Sequence, residues 1–74
     1  MKKDVTYIIV HPDGRAVFQD VQYGRMYVRG REDFSPDMKL WRTQCLECAR
    51  SMLERTNTVW SGFEIKKDIR EERE

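Results

Sequence analysis

Four stretches of the chain carry the hydrophobic pattern and composition of β-strands. The first, Val-Thr-Tyr-Ile-Ile-Val, is rich in the β-branched and aromatic residues that strands favour. A His-Pro-Asp-Gly turn and then a Tyr-Gly pair separate the first three stretches, which predicts an antiparallel meander. The last stretch alternates apolar and polar residues, which is typical of a strand with one buried face. The four predicted strands span residues 5–10, 15–22, 25–29 and 63–69.

A helical pattern lies between the third and fourth strands. Ser35, Pro36 and Asp37 are residue types that favour a helix start. Apolar residues then recur on one helical face until the pattern fades at residues 55–57, and Leu40 is the exception because it falls among the polar positions. The apolar face comprises Met38, Trp41, Cys45, Cys48, Ala49, Met52 and Leu53.

The order β-β-β-α-β predicts an α+β fold, a single small domain over residues 1–69 with one helix packed on one face of an antiparallel sheet. Trp41, Met52, Phe63 and Ile65 are expected to join the helix to the sheet. The opposite face of the sheet is expected to stay uncovered, because no further segment remains to cover it. The charged residues 70–74 contain no apolar side chain and are expected to fray.

Composition limits the function. The 74 residues are 39% hydrophobic and carry 14 Lys and Arg against 13 Asp and Glu, a formal charge of +1. A chain this short holds one small core and no separate cofactor domain, and it lacks the long apolar run of a membrane span. His11 stands alone in a turn, and no Gly-rich phosphate loop precedes the helix. We therefore expect a non-enzymatic protein without a cofactor or a metal.

Cys45 and Cys48 are the only cysteines, spaced C-L-E-C. Two cysteines this close cannot staple distant segments, which favours a cytoplasmic protein. A redox pair belongs at a helix N-terminus, whereas this pair falls near the middle of the predicted helix. A zinc site within the chain would lack ligands, although a zinc-bridged dimer stays open. The favoured interpretation is that both thiols are small apolar residues on the buried helix face.

The predicted third strand carries the most informative surface. Arg and Tyr are enriched at protein interfaces because they combine contact area with directional hydrogen bonds. The same pattern could stack bases and hold phosphates, or could simply keep a strand face solvated. A homodimer through Ile8, Val10 and Leu40 is a further alternative. The candidate partner-binding residues are Tyr23, Arg25, Tyr27, Arg29 and Arg31.

The chain resembles the small phage-encoded inhibitors of bacterial machinery, namely anti-CRISPR proteins and phage inhibitors of host RNA polymerase. The features that carry the resemblance are a lone α+β domain, the segment Arg25-Met-Tyr-Val-Arg29, and a helix followed by Gly62-Phe-Glu-Ile-Lys-Lys. The resemblance implies stoichiometric docking onto a large host protein complex, a CRISPR–Cas effector or RNA polymerase, and its blockage. A small nucleic-acid-binding regulatory domain that uses the same strand face is the alternative. Salt dependence separates the two, because counterion release weakens nucleic-acid binding steeply.

Overall fold

A computed structural model describes residues 2–30 and 36–72, and it confirms the α+β class: one helix and an antiparallel sheet in a small domain. No helix in these two ranges is long and apolar enough to cross a bilayer. The elements are β1 (Lys2–Val10), β2 (Arg15–Asp20), β3 (Met26–Gly30), β4 (Met38–Leu40), α1 (Leu46–Val59) and β5 (Glu64–Glu72).

Two tight turns build the β1–β2–β3 meander. After β1, Gly14 adopts φ +100° and its N–H donates to the His11 carbonyl, which closes the predicted turn. After β2, the Asp20 carboxylate accepts the N–H groups of Gln22 and Tyr23 at 2.6 and 3.0 Å. Gly24 follows at φ +71°, where its N–H donates to the Asp20 carbonyl while the Asp20 N–H donates to the Arg25 carbonyl. This is a β-bulge with glycine in the left-handed position, and it sets the register of β3.

The predicted helix start at residues 35–37 is wrong. Residues 38–40 form β4, which pairs antiparallel with β2 and places Leu40 opposite Phe18. The main chain then continues beside β1, where Thr43 and Tyr7 exchange two hydrogen bonds of 2.7 and 3.1 Å. The segment 38–43 therefore lies between β2 and β1, which meet through Val10 and Ala16 near their turn. Leu40 misfits a helical pattern because it belongs to a strand.

The helix covers one face of the sheet as expected. Ile9, Val17 and Phe63 are buried there, and the predicted contacts of Trp41, Met52 and Ile65 are confirmed in the same cluster. Trp41 joins this cluster from the segment after β4 rather than from the helix.

The expectation of an uncovered opposite face is wrong. Ile8, Val10, Ala16 and Phe18 are buried in a second cluster, against which Met38 and Leu40 of β4 pack. Since Ile8 and Val10 are 3% and 8% exposed, they offer no apolar surface for the homodimer considered from the sequence.

The sheet also extends further toward the C-terminus than the sequence predicts. Strand β5 pairs with β1 from Val10–Glu64 through to Lys2–Glu72. Residues 70–72, which were expected to fray, are thus part of β5, and residues 73–74 lie outside the described ranges.

Candidate docking edge on β3

The register of β3 separates its side chains as the sequence predicts. Tyr27 and Arg29 lie opposite Phe18 and Ala16, on the face away from the helix. Met26 and Val28 lie opposite Gln19 and Val17, on the helix side.

Four of the five predicted site residues form two stacked pairs, which we call the Tyr–Arg surface (Tyr23, Arg25, Tyr27 and Arg29). The Arg25 guanidinium lies 5.6 Å from the centre of the Tyr23 ring, and that of Arg29 lies 5.9 Å from the Tyr27 ring. Such cation–π contacts orient long side chains that would otherwise be mobile. Tyr23 is 68% exposed, and both arginines are also exposed. Arg31, the fifth predicted residue, lies outside the described residues.

One backbone edge of β3 pairs with no other strand in the part of the chain that the structure describes. Among the described residues, β3 pairs with β2 alone. After the bulge, Gln19 and Met26 are opposite each other without mutual hydrogen bonds. Hydrogen-bonded and non-hydrogen-bonded residue pairs alternate along an antiparallel ladder, so the next hydrogen-bonded pair is Phe18–Tyr27. The N–H and C=O groups of Tyr27 and Arg29 therefore face β2, whereas those of Met26 and Val28 face outward.

A groove that sequence reasoning missed lies on the helix side of this edge. It has a volume of about 440 Å³ and is lined largely by Met26 and Val28 of β3 and by Met52, Arg55, Val59 and Trp60 from the helix and its C-cap. Met26, Val59 and Trp60 are 40%, 74% and 46% exposed, so the groove presents apolar surface to solvent. Among the described residues that line it, Arg55 alone carries a charge. We call it the β3–α1 groove.

An aromatic corner built around Arg15 lies at the Trp60 end of the groove. The Arg15 guanidinium lies 5.8 Å from the Trp60 ring centre and 5.5 Å from that of Phe63, and its Nε donates to Asp13 at 2.7 Å. The Asn57 side chain both accepts from the Phe63 N–H and donates to its carbonyl, which ties the helix end to the start of β5.

The two cysteines lie at the opposite end of α1. Cys45 is the N-cap, and its Sγ accepts the Cys48 N–H at 3.4 Å. Both thiols are exposed, so the prediction that they are buried is wrong. The reason is the later helix start: Cys45 and Cys48 precede the point at which the helix meets the sheet, at the fully buried Ala49. The sequence argument against a redox pair assumed that the cysteines lie in the middle of the helix. Because Cys45 is the N-cap, that argument no longer holds.

The N-cap position changes the acidity of both thiols. The Cys48 backbone N–H stabilises the thiolate of Cys45 and lowers the pKa of that group, while the nearby charge of Glu47 partly opposes this. The interaction with Cys45 raises the pKa of Cys48. In the part of the chain that the structure describes, no cluster of three or more His, Cys, Asp or Glu could hold a metal ion.

No protein-family model, curated protein or solved structure matches this chain.

Proposed function

We propose that this chain is a non-enzymatic, cytoplasmic protein-binding domain that docks through β3 by accepting one extended strand of a partner protein. The observation that carries the proposal is the edge of β3 that pairs with no other described strand and lies between the Tyr–Arg surface and the β3–α1 groove. An exposed strand edge is a template for β-augmentation, in which main-chain hydrogen bonds give affinity and side-chain contacts give specificity.

The two faces of β3 define the chemistry of the partner strand. Side chains of an added strand alternate between the faces, so one set lies beside Met26 and Val28 and the other beside Tyr27 and Arg29. The first set meets apolar surface continuous with the groove, whereas the second meets two exposed guanidinium groups. The complementary strand therefore alternates apolar and acidic residues.

The class of partner follows from the resemblance to phage-encoded inhibitors. We propose that the strand belongs to a large bacterial complex, a CRISPR–Cas effector or RNA polymerase, which the bound domain blocks stoichiometrically. The near-neutral net charge of +1 supports a protein partner over a nucleic acid, because a dedicated nucleic-acid binder of this size is usually basic.

Charge reversal on the Tyr–Arg surface tests the docking site. The double variant Arg25→Glu/Arg29→Glu is titrated against purified RNA polymerase and CRISPR effector complexes, and used for capture from a nuclease-treated bacterial lysate. We expect the partner to be lost while the circular dichroism spectrum stays native, because both side chains are exposed. The matched control is Arg50→Glu/Lys66→Glu, which makes the same charge change at exposed positions outside both surfaces. Equal binding by the two variants would reject the site.

A proline at Met26 tests strand addition itself. The Met26 N–H faces outward, so Met26→Pro removes a donor that a partner strand needs and leaves the β2–β3 hydrogen bonds in place. Met26→Ala removes the side chain but keeps the N–H group. We expect the proline variant to bind at least about tenfold more weakly than the alanine variant. Equal affinities of the two variants would be compatible with docking at this surface but would reject the addition of a partner strand to β3.

Two other occupants are outcomes of the same experiments. Retention of nucleic acid rather than protein, with affinity that falls steeply as salt rises, would assign the Tyr–Arg surface to the alternative nucleic-acid function. A concentration-dependent dimer in light scattering that Met26→Pro abolishes would place a second copy of the chain on the edge.

A further inference from the structure

The N-terminus of α1 carries the components of a thiol–disulfide exchange site. Cys45 at the N-cap and Cys48 in the first helical turn are both exposed, and the Cys45 Sγ accepts the Cys48 N–H at 3.4 Å. The Cys45 N–H in turn donates to the Thr43 hydroxyl at 3.1 Å, and Thr43 is held to β1 by its two hydrogen bonds with Tyr7. The thiol pair is therefore fixed on the body of the domain.

We propose that Cys45 and Cys48 form a redox-active dithiol that exchanges stoichiometrically, once per chain, with low-molecular-weight disulfides, with Cys45 as the attacking thiol and Cys48 as the resolving thiol. This activity goes beyond the proposed docking function and does not depend on it. On the helix the groove is lined from Met52 to Trp60, so its nearest helical residue lies four residues, about 6 Å along the axis, beyond Cys48.

The assignment of roles follows from the helix terminus. An N-cap thiolate receives a backbone N–H and lies at the positive end of the helix dipole, both of which stabilise its charge. The amide of Cys48 accordingly lowers the pKa of Cys45, while the interaction with Cys45 raises the pKa of Cys48. Glu47 is the charged neighbour that opposes thiolate formation at both positions. Cys45 is thus the more acidic thiol and the attacking group, and Cys48 is the less acidic thiol that resolves.

The exchange balances in two steps. The Cys45 thiolate attacks one sulfur of a glutathione-type disulfide, which forms a mixed disulfide and releases one small thiolate. Cys48 then loses its proton, and its sulfur attacks the Cys45 sulfur to close the Cys45–Cys48 disulfide and release the second small thiolate. Two electrons pass from the protein dithiol to the small disulfide, and the released thiolates take up the two protons.

The test uses the full chain in buffers of reduced and oxidised glutathione, quenched by alkylation and analysed by mass spectrometry. We expect the native chain to lose two hydrogens and both alkylation sites, without a lasting glutathione adduct. Cys48→Ser is expected to accumulate one glutathione on Cys45, since nothing resolves the mixed disulfide. Cys45→Ser is expected to react at least about tenfold more slowly than Cys48→Ser.

Two results would overturn the proposal. A lasting glutathione adduct on the native chain would show that Cys48 does not resolve, and similar rates for the two serine variants would remove the role of Cys45. Both variants should fold, because the replaced thiols are exposed and serine is itself a strong N-cap residue. Partner capture by Cys48→Ser is expected to equal that of the native chain, so the two proposals fail separately.

Discussion

The contact between His11 and Gly62 shows how a single residue acquires a structural role. His11 is partly buried, and its ring meets the Phe63 ring edge-on at a centre-to-centre distance of 5.0 Å. Gly62 adopts φ +91°, and a Cβ added there would lie 2.7 Å from the His11 Nε2 atom. The sequence shows His11 only as a lone histidine in a turn and does not reveal this packing role, because its ring partner Phe63 is some fifty residues away.

Gly62→Ala is expected to destabilise the domain more than Gly14→Ala. Both glycines have positive φ, which costs alanine about 1–2 kcal/mol, but a Cβ on Gly14 would meet open space. At Gly62 the added carbon also displaces the His11 ring, so we expect a further loss of about 1 kcal/mol. Urea unfolding of the two variants measures the difference. Equal losses would mean that the His11 contact contributes nothing.

Asp13 makes the β1–β2 turn sensitive to acid. Its carboxylate accepts the Arg15 N–H, and this bond, with support from the Arg15 side chain, lowers the pKa of Asp13 below the ordinary value of 3.8. A lowered folded-state pKa stabilises the protein at pH values above that ordinary value, and the stabilisation disappears as the pH falls through the folded value. We expect Asp13→Asn to be less stable than the native chain at pH 7. The difference should shrink below pH 3.8, which thermal melts across a pH series can follow.

At the scale of elements, β4 is the element that the local sequence pattern predicted wrongly. The Ser-Pro-Asp sequence and the apolar spacing after it favour a helix, yet residues 38–40 pair with β2. The space between β2 and β1 decides the outcome, because a strand there satisfies backbone groups on both sides and packs the half-buried Met38 and Leu40 against the second cluster. Leu40, which fell among polar positions of the helical pattern, was the one signal of this in the sequence.

Leu40→Ala is expected to lower the free energy of unfolding by about 1–2 kcal/mol. This is less than the loss expected for a fully buried leucine, because the Leu40 side chain is only half-buried. Lys39→Ala is the matched control: Lys39 is exposed, so a change within about 0.5 kcal/mol is expected. If residues 39 and 40 were helical, both alanine substitutions would raise the helix propensity and stabilise the chain. Stabilisation by either alanine, measured by urea unfolding, would contradict a strand at this place.

At the scale of the whole molecule, the sequence pattern predicted correctly those features of the fold that depend on residues close together in the chain. It gave the α+β class, the first turn, the two faces of β3 and the cluster around Phe63, because side-chain period and turn chemistry act within a few residues. It missed the second cluster, the β3–α1 groove and the exposure of the two thiols. Each of these depends on where α1 begins and where residues 38–43 lie, which long-range strand pairing determines.

The same non-local pairing governs the C-terminal residues, whose charged composition alone predicts fraying. The register places Lys2 opposite Glu72, Lys3 opposite Glu71 and Asp4 opposite Arg70, so residues 2–4 and 70–72 belong to one antiparallel ladder. A chain that ends at Ile69 loses these three pairs, and we expect it to be less stable by about 1–3 kcal/mol. A chain that ends at Glu72 keeps them and should unfold at the urea concentration of the full chain. Equal midpoints for the two shortened chains would mean that the sheet is stable without its terminal pairs, as fraying requires.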